Sequence, residues 1–127
     1  MEENKIPVTE LHAEISGWKS DIQLVQAEIA TFQDQLDEIA SKNSHEEVLK
    51  GVEHFQNQFT RQLEVSDELM HDLHLAEHGL AEQTANNRDS EHILTPVNAD
   101  LRDRAETYNN LFADLKNDYR SFLEKWM

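Results

Sequence analysis

An apolar seam between residues 8 and 39 constrains this chain more than any other feature. Its side chains recur at alternating steps of three and four residues: Val8, Leu11, Ile15, Trp18, Ile22, Val25, Ile29, Phe32, Leu36 and Ile39. Two apolar positions in every seven, kept over about four heptads, are typical of a helix that packs lengthwise against other helices. A strand would place Ile15 and Trp18 on opposite faces. The sequence therefore predicts a long helix over residues 8–42.

Two further seams follow. The second comprises Val48, Val52, Phe55, Phe59, Leu63, Ser66, Met70, Leu73, Ala76 and Leu80, and the third Leu101, Ala105, Tyr108, Phe112, Leu115, Tyr119, Phe122 and Trp126. Ser44 with Glu47 has the spacing of a capping box, which predicts a second helix over residues 45–83. Thr95-Pro96 has the pattern of an N-cap followed by proline at the first helical position, which predicts a third helix over residues 96–126.

The connections between these helices predict their order in space. The first is short, so the second helix folds back antiparallel on the first. The second connection, residues 84–95, is longer and polar, and residues 1–6 are expected to be a frayed leader. Three long helices with one seam each can bury one another's apolar side chains. We therefore predict an all-α, up-down-up antiparallel bundle that forms a single domain over residues 1–127, with Trp126 near the first turn.

Composition excludes several classes of function. Asp and Glu number 26 against 11 Lys and Arg, a net charge of −15, which repels nucleic acid and anionic lipid. There is no cysteine, so disulfides and thiolate metal sites are excluded. The N-terminus has no apolar signal-peptide region and no run of about 18 apolar residues occurs, so we expect a soluble, cytoplasmic protein. Neither a glycine-rich phosphate loop nor a Ser-His-acid pattern is present, which predicts a protein that is not an enzyme.

Histidine is the one over-represented reactive residue, with 7 copies. His71, His74 and His78 lie at positions i, i+3 and i+7 and share one helix face. An antiparallel hairpin places His12 opposite the same stretch of the second helix. His92, in the second connection, belongs to the same end of the bundle.

These histidines, with Glu68, suggest a metal site. Imidazole and carboxylate groups suit zinc, iron, nickel or copper, and spacings of three or four place two ligands on one helix face. Glu68 and His71 also form one Glu-x-x-His element, but a di-iron bundle needs two and the chain has no second copy. Two alternatives remain open: the histidines flank the seam as half-buried structural residues, or they sense pH because clustered imidazoles repel when protonated.

Two resemblances bear on the fold. The segment from Glu53 to Phe59, EHFQNQF, together with Trp18 and the ending KWM, resembles small all-helical bacterial proteins that have no assigned activity. The three long antiparallel helices with a tryptophan on the first and third are also similar in architecture to a spectrin-type repeat. The chain departs from that repeat in its longer second connection and in having no tandem copy. The resemblance therefore implies the fold and gives no support to an actin-related role.

The sequence favours a non-enzymatic interaction or scaffold protein. A seam of two residues in seven is narrow for a self-sufficient globule, so we expect a protein partner or self-association, most simply a homodimer. The alternative is a metal-binding bundle in which a divalent transition metal is held by some of His12, His71, His74, His78 and Glu68.

Overall fold

The part of the chain that the structure describes folds into three long helices and two very short strands. The structure is a computed structural model that describes the backbone of residues 5–86, 92–94 and 96–126 and the side chains of residues 10–79 and 99–126. The helices are α1 (Val8–Lys42), α2 (Glu46–Asn86) and α3 (Pro96–Trp126), and the strands are β1 (Lys5–Pro7) and β2 (His92–Leu94). The prediction of an all-α bundle of three long helices is confirmed.

The turn between α1 and α2 differs in detail from the prediction. The helix α2 begins at Glu46 and ends at Asn86, slightly later at both ends than the predicted 45–83. The Leu49 N–H donates to the His45 carbonyl at 3.1 Å, so His45 rather than Ser44 is the N-cap residue. At the end of α1, the Asn43 side chain donates to the Ile39 carbonyl at 2.8 Å and satisfies one of the last carbonyls of that helix.

The two strands form a short antiparallel ladder in which Ile6 pairs with Ile93 and Pro7 with His92. The expectation of a frayed leader over residues 1–6 is therefore wrong for Lys5 and Ile6, and part of the second connection is extended. Residues 1–4 of that leader lie outside the described residues. The sequence gives no sign of this ladder because three residues are too few for the alternation of a strand to be recognised.

Polar contacts between the helices show their relative directions. Glu14 with Arg102 and Glu28 with Lys116 join α1 to α3, and both pairs link residues that are 88 positions apart. A constant offset means that α1 and α3 are parallel and stay in one register for two heptads. The helix α2 runs antiparallel to α1, because Lys19 contacts His74 and Asp37 contacts Gln56, so that residue numbers rise on one helix as they fall on the other. The up-down-up order is confirmed.

The three predicted seams form the core. Within the described side chains, the buried seam residues are Leu11, Ile15, Ile22, Val25, Ile29, Leu36, Ile39, Val48, Val52, Phe55, Phe59, Ser66, Leu73, Leu101, Ala105, Tyr108, Phe112 and Tyr119. Trp18, Phe32 and Trp126 are partly buried against this core. Two buried residues of α2, Gln62 and Leu69, were not on the predicted seam. The inward face of α2 is thus wider than two positions in seven.

Aromatic rings fill the half of the bundle next to the first turn. The Tyr119 ring lies 4.8 Å from Phe32 and 5.2 Å from Phe59 between ring centroids. The Phe55 and Phe122 rings lie 5.2 Å apart. Such tilted arrangements at 4.5–7 Å are favourable beyond the area they bury. The Trp126 ring is 5.9 Å from His45, which confirms that the end of α3 lies at the first turn.

A buried polar network joins α2 to α3 in the other half. The Ser66 hydroxyl donates to the Gln62 carbonyl at 2.8 Å, so the Tyr108 hydroxyl donates to Ser66 Oγ. The Gln62 side chain in turn donates to the Tyr108 carbonyl at 3.4 Å. Burial is the main cause that raises the pKa of the Tyr108 phenol, which therefore stays protonated and able to donate.

Tyr119 makes the corresponding contact from α3 to α1. Its hydroxyl donates to Gln35 Oε1 at 2.9 Å and lies 3.2 Å from the Phe32 carbonyl. Burial raises the pKa of Tyr119 to about 12, so this phenol too is neutral. One tyrosine of α3 is thereby bonded to α2 and the other to α1.

Replacing Ser66 by alanine tests the network. We expect S66A to lower the free energy of unfolding by about 1–3 kcal/mol, because the buried Tyr108 hydroxyl loses its acceptor. Y108F costs less, since Ser66 keeps its bond to the Gln62 carbonyl. The double variant S66A/Y108F is therefore more stable than the sum of the single changes, measured by urea unfolding. Strict additivity of the two changes would contradict the contact.

Two glycines in helix interiors provide a matched pair. A Cβ at Gly51 would overlap the Phe122 ring at Cε1, whereas a Cβ at Gly17 would meet nothing within 4 Å. G17A should stabilise the fold by about 1 kcal/mol through helix propensity. In G51A the overpacking against Phe122 offsets this gain, leaving it about 1–3 kcal/mol less stable than G17A in urea unfolding. Equal stability of the two variants would mean that α2 and α3 are not so close at Gly51.

Candidate functional site

Two of the predicted histidines meet around a lysine between α1 and α2. Lys19 Nζ donates to His74 Nδ1 at 2.8 Å and to Glu77 Oε1 at 2.6 Å. His12 Nδ1 lies 3.8 Å from Glu77 Oε2. We call these four residues the Lys19 cluster. An ammonium group has no lone pair, so the imidazole nitrogen of His74 is the acceptor.

The Lys19 cluster is electrostatically balanced by its own members. The Lys19 side chain is only 15% exposed, so its hydrocarbon stem is packed between the helices. The hydrogen bond from Lys19 is the main cause that lowers the pKa of the Glu77 carboxyl, and the positive charge of Lys19 adds to it, while burial acts in the opposite direction. The ammonium thus occupies the position in which a metal ion would have to contact His74 and Glu77.

The other predicted ligands lie elsewhere. His71 and His78 are exposed on α2, and Glu68 lines a groove between α2 and α3 on a different side of α2 from Lys19. His92 pairs through its backbone in β2, and its side chain lies outside the described residues. Within the described part of the chain, no group of three or more His, Cys, Asp or Glu side chains is placed to hold a metal ion. A metal site stays a hypothesis from the sequence, without a described geometry in its favour.

The groove that contains Glu68 is the second candidate site, and we call it the α2–α3 groove. Its wall on α2 includes Arg61, Val65, Glu68, Leu69, Asp72 and Leu75. Its wall on α3 includes Leu101, Asp103, Arg104, Tyr108, Leu111 and Leu115. Three adjoining cavities of about 280, 300 and 400 Å³ make up this groove.

Large apolar side chains are exposed along the groove. Leu111 is 58% exposed, Leu75 57% and Val65 36%. They surround a floor that includes the buried side chains of Leu69, Leu101 and Tyr108. Apolar residues that are exposed singly are ordinary, but a row of them along a concave surface is typical of a binding groove.

Charged side chains form the rim of the groove. Arg104 crosses it from α3, with Nη2 at 2.8 Å from Asp72 and Nη1 at 3.8 Å from Asp100. Glu68 and Asp103 make no ion pair with any residue of the described part of the chain. The Tyr108 phenol is neutral and adds no charge. The groove is therefore apolar at its floor and acidic along much of its rim.

Sequence analysis missed both Lys19 and the groove. Lys19 is a single base one position after the seam residue Trp18, and only the packing of α1 on α2 gives it partners. A signal for the groove did exist, because Val65 and Leu75 on α2 and Leu111 on α3 are apolar residues that the seams leave unused.

Comparison of the chain with protein-family models, curated protein sequences and solved structures found no match. The resemblances to small all-helical bacterial proteins and to the spectrin-type architecture stay predictions. Among the described residues, no helix combines the length and the apolar character that crossing a bilayer requires.

Lys19→Met tests the Lys19 cluster, since it keeps the packed stem and removes the charge. We expect K19M to lose about 1 kcal/mol of unfolding free energy at pH 7, because Glu77 and His74 lose a charged donor that is only partly screened. The pKa of Glu77 is lower in the folded state than its ordinary value of 4.5. Its contact with Lys19 therefore contributes fully to the free energy of unfolding above pH 4.5, and this contribution disappears as the pH falls through the lowered pKa. The difference between wild type and K19M should therefore shrink below pH 4.5 in urea unfolding.

The matched control is Lys42→Met. Lys42 bonds Glu38 at 2.6 Å as well, but both side chains are largely exposed and lie on the same helix. K42M should change stability little. Equal effects of K19M and K42M at pH 7 would show that the Lys19 cluster does not brace α1 against α2.

Proposed function

We propose that this chain is a non-enzymatic interaction protein whose α2–α3 groove receives a helix of another protein. The observation that carries the proposal is the row of exposed apolar side chains, Val65, Leu75 and Leu111, along the concave surface that the three adjoining cavities form. Helix-in-groove binding uses such rows, because the apolar face of the incoming helix is buried against them.

The dimensions of the groove suit a helix. Along α2 it extends from Gln58 to Ala76, about 27 Å at ~1.5 Å per residue. A bound helix of about five turns would span this length. It would lie against one face of α2 and one face of α3, as a fourth helix does in a four-helix bundle.

Four titratable groups that are buried or half-buried in the described part of the chain have structural partners, which supports a structural rather than a catalytic role for them. Lys19 and Glu77 neutralise each other, and the hydroxyls of Tyr108 and Tyr119 are hydrogen-bonded in the core. Their phenols have raised pKa values. Catalytic sites commonly need an acid or base whose pKa is brought towards neutrality, and the raised phenol pKa values move away from it.

Self-association through the same groove is the competing occupant. A second copy would also bury Leu75 and Leu111, but each chain carries a net charge of −15, which opposes the approach of two copies. The homodimer therefore stays a prediction from the sequence, and its occurrence is an outcome of the experiment below.

The experiment compares three leucine-to-glutamate variants of similar exposure. L75E and L111E change the groove, whereas L24E changes a leucine on α1 that is 66% exposed and does not line the groove. Each variant carries one added charge and should keep the melting temperature of the wild type within a few degrees. The tagged wild-type chain and each tagged variant are expressed in the cell of origin, and the amount of each captured protein is compared between them.

We expect L75E and L111E to reduce capture of the partner tenfold or more, which corresponds to about 1.4 kcal/mol or more of lost contact energy. L24E should retain it. Equal capture by all four proteins, or equal loss in L24E, would overturn the proposal. Light scattering of each protein reports at the same time whether a second copy is the occupant.

A further inference from the structure

We infer that the helix received by the α2–α3 groove is cationic, with Lys or Arg on its polar face and large aliphatic side chains on its apolar face. This inference rests on the proposed function and adds the chemistry of the partner. It is carried by the charges at the rim of the groove and by the field of the whole chain.

Carboxylates outnumber guanidinium groups among the residues that line the groove by four to two, namely Glu68, Asp72, Asp100 and Asp103 against Arg61 and Arg104. Arg104 is shared between Asp72 and Asp100, so its charge is already compensated within the groove. Glu68 on α2 and Asp103 on α3 remain as carboxylates on opposite walls, without an ion pair in the described part of the chain. A helix lying between them would present its flanking positions to both.

Acidic residues around the groove strengthen its preference for a cationic helix. Glu64, Asp67 and Glu106 are exposed on the same two helices, and the charge of Asp67 contributes to raising the pKa of Tyr108 at the groove. The chain as a whole carries −15. A field of one sign attracts an oppositely charged partner and speeds its association, and it penalises partners of like charge.

The Asp72–Arg104 pair divides the apolar floor into two sections. One section lies around Leu75 and Leu101, and the other around Val65 and Leu111. Leu75 and Val65 are about 15 Å apart along α2 at ~1.5 Å per residue. The incoming helix should therefore carry two apolar anchors about three turns apart, with polar residues between them over the ion pair.

The experiment uses the full chain and a pair of synthetic helical peptides. Both peptides carry the same leucines at two anchor sites about three turns apart, and their polar faces are built from lysine in one and glutamate in the other. Binding is measured by fluorescence anisotropy at low salt and at physiological salt. We expect the lysine peptide to bind at least tenfold more tightly than the glutamate peptide and to weaken as salt is added.

Charge-reversed variants separate the groove from the general acidity of the chain. E68K/D103K reverses two carboxylates of the groove, and D21K/D34K makes the same change of net charge at exposed positions on α1. None of the four carboxylates makes an ion pair in the described part of the chain, and Asp103 acts only through its charge near Arg102, so both variants should melt within a few degrees of the wild type. We expect E68K/D103K to lower the affinity for the lysine peptide tenfold more than D21K/D34K does. L111E should also lower this affinity, whereas L24E should not.

The outcomes distinguish this inference from the proposed function. If the two charge-reversed variants lower the affinity for the lysine peptide equally, the peptide binds through the general acidity of the chain and the inference is overturned. If the glutamate peptide binds as tightly, or if the wild type is a dimer that L111E dissociates, the partner is not a cationic helix although the groove is used. If neither peptide binds and L111E also leaves capture in the cell unchanged, the inference and the proposed function fail together.

Discussion

The arrangement of the three helices depends on two buried tyrosine hydroxyls of α3. Tyr108 bonds Ser66 of α2, and Tyr119 bonds Gln35 of α1. Apolar seams with heptad spacing can slide past one another by a heptad and still bury their side chains, because the pattern repeats. A buried hydroxyl that loses its partner costs free energy, so these bonds favour one register over the shifted ones. The constant offset of the ion pairs between α1 and α3 is the expected consequence.

The sizes of the side chains along the boundary between α2 and α3 explain where the groove lies. Next to the first turn, the rings of Phe55, Phe59 and Phe122 fill the space between α2 and α3. Further along, no ring other than Tyr108 lies between the two helices in the described cavities, the seam of α2 has the small residues Ser66 and Ala76, and α2 and α3 leave cavities between them. The groove is thus the part of the α2–α3 boundary that the side chains do not fill. Its rim is acidic because the surface of the chain is acidic.

Much of the fold could be predicted from the sequence, because seam spacing determines which residues are buried. Leu11, Phe59 and Tyr119 lie in the core as expected. The candidate site was harder to predict. Residues that share a face of α2 are recognised from their spacing, but the spacing does not say which helix that face meets. His74 meets Lys19 of α1 whereas Glu68 lines the groove with α3, so the predicted metal ligands are divided between two sides of α2.

The register between α1 and α3 can be measured directly because the chain has no cysteine of its own. Cysteine pairs at positions 14 and 102, and at 28 and 116, are treated with a short bismaleimide, and the cross-linked fraction is read by electrophoresis. The structure predicts efficient linkage of both pairs. It predicts little linkage of the exchanged pairs, 14 with 116 and 28 with 102, whose positions are displaced along the bundle by about 21 Å at ~1.5 Å per residue. Exchanged pairs that link as well as the matched ones would contradict the parallel register of α1 and α3 and the groove that follows from it.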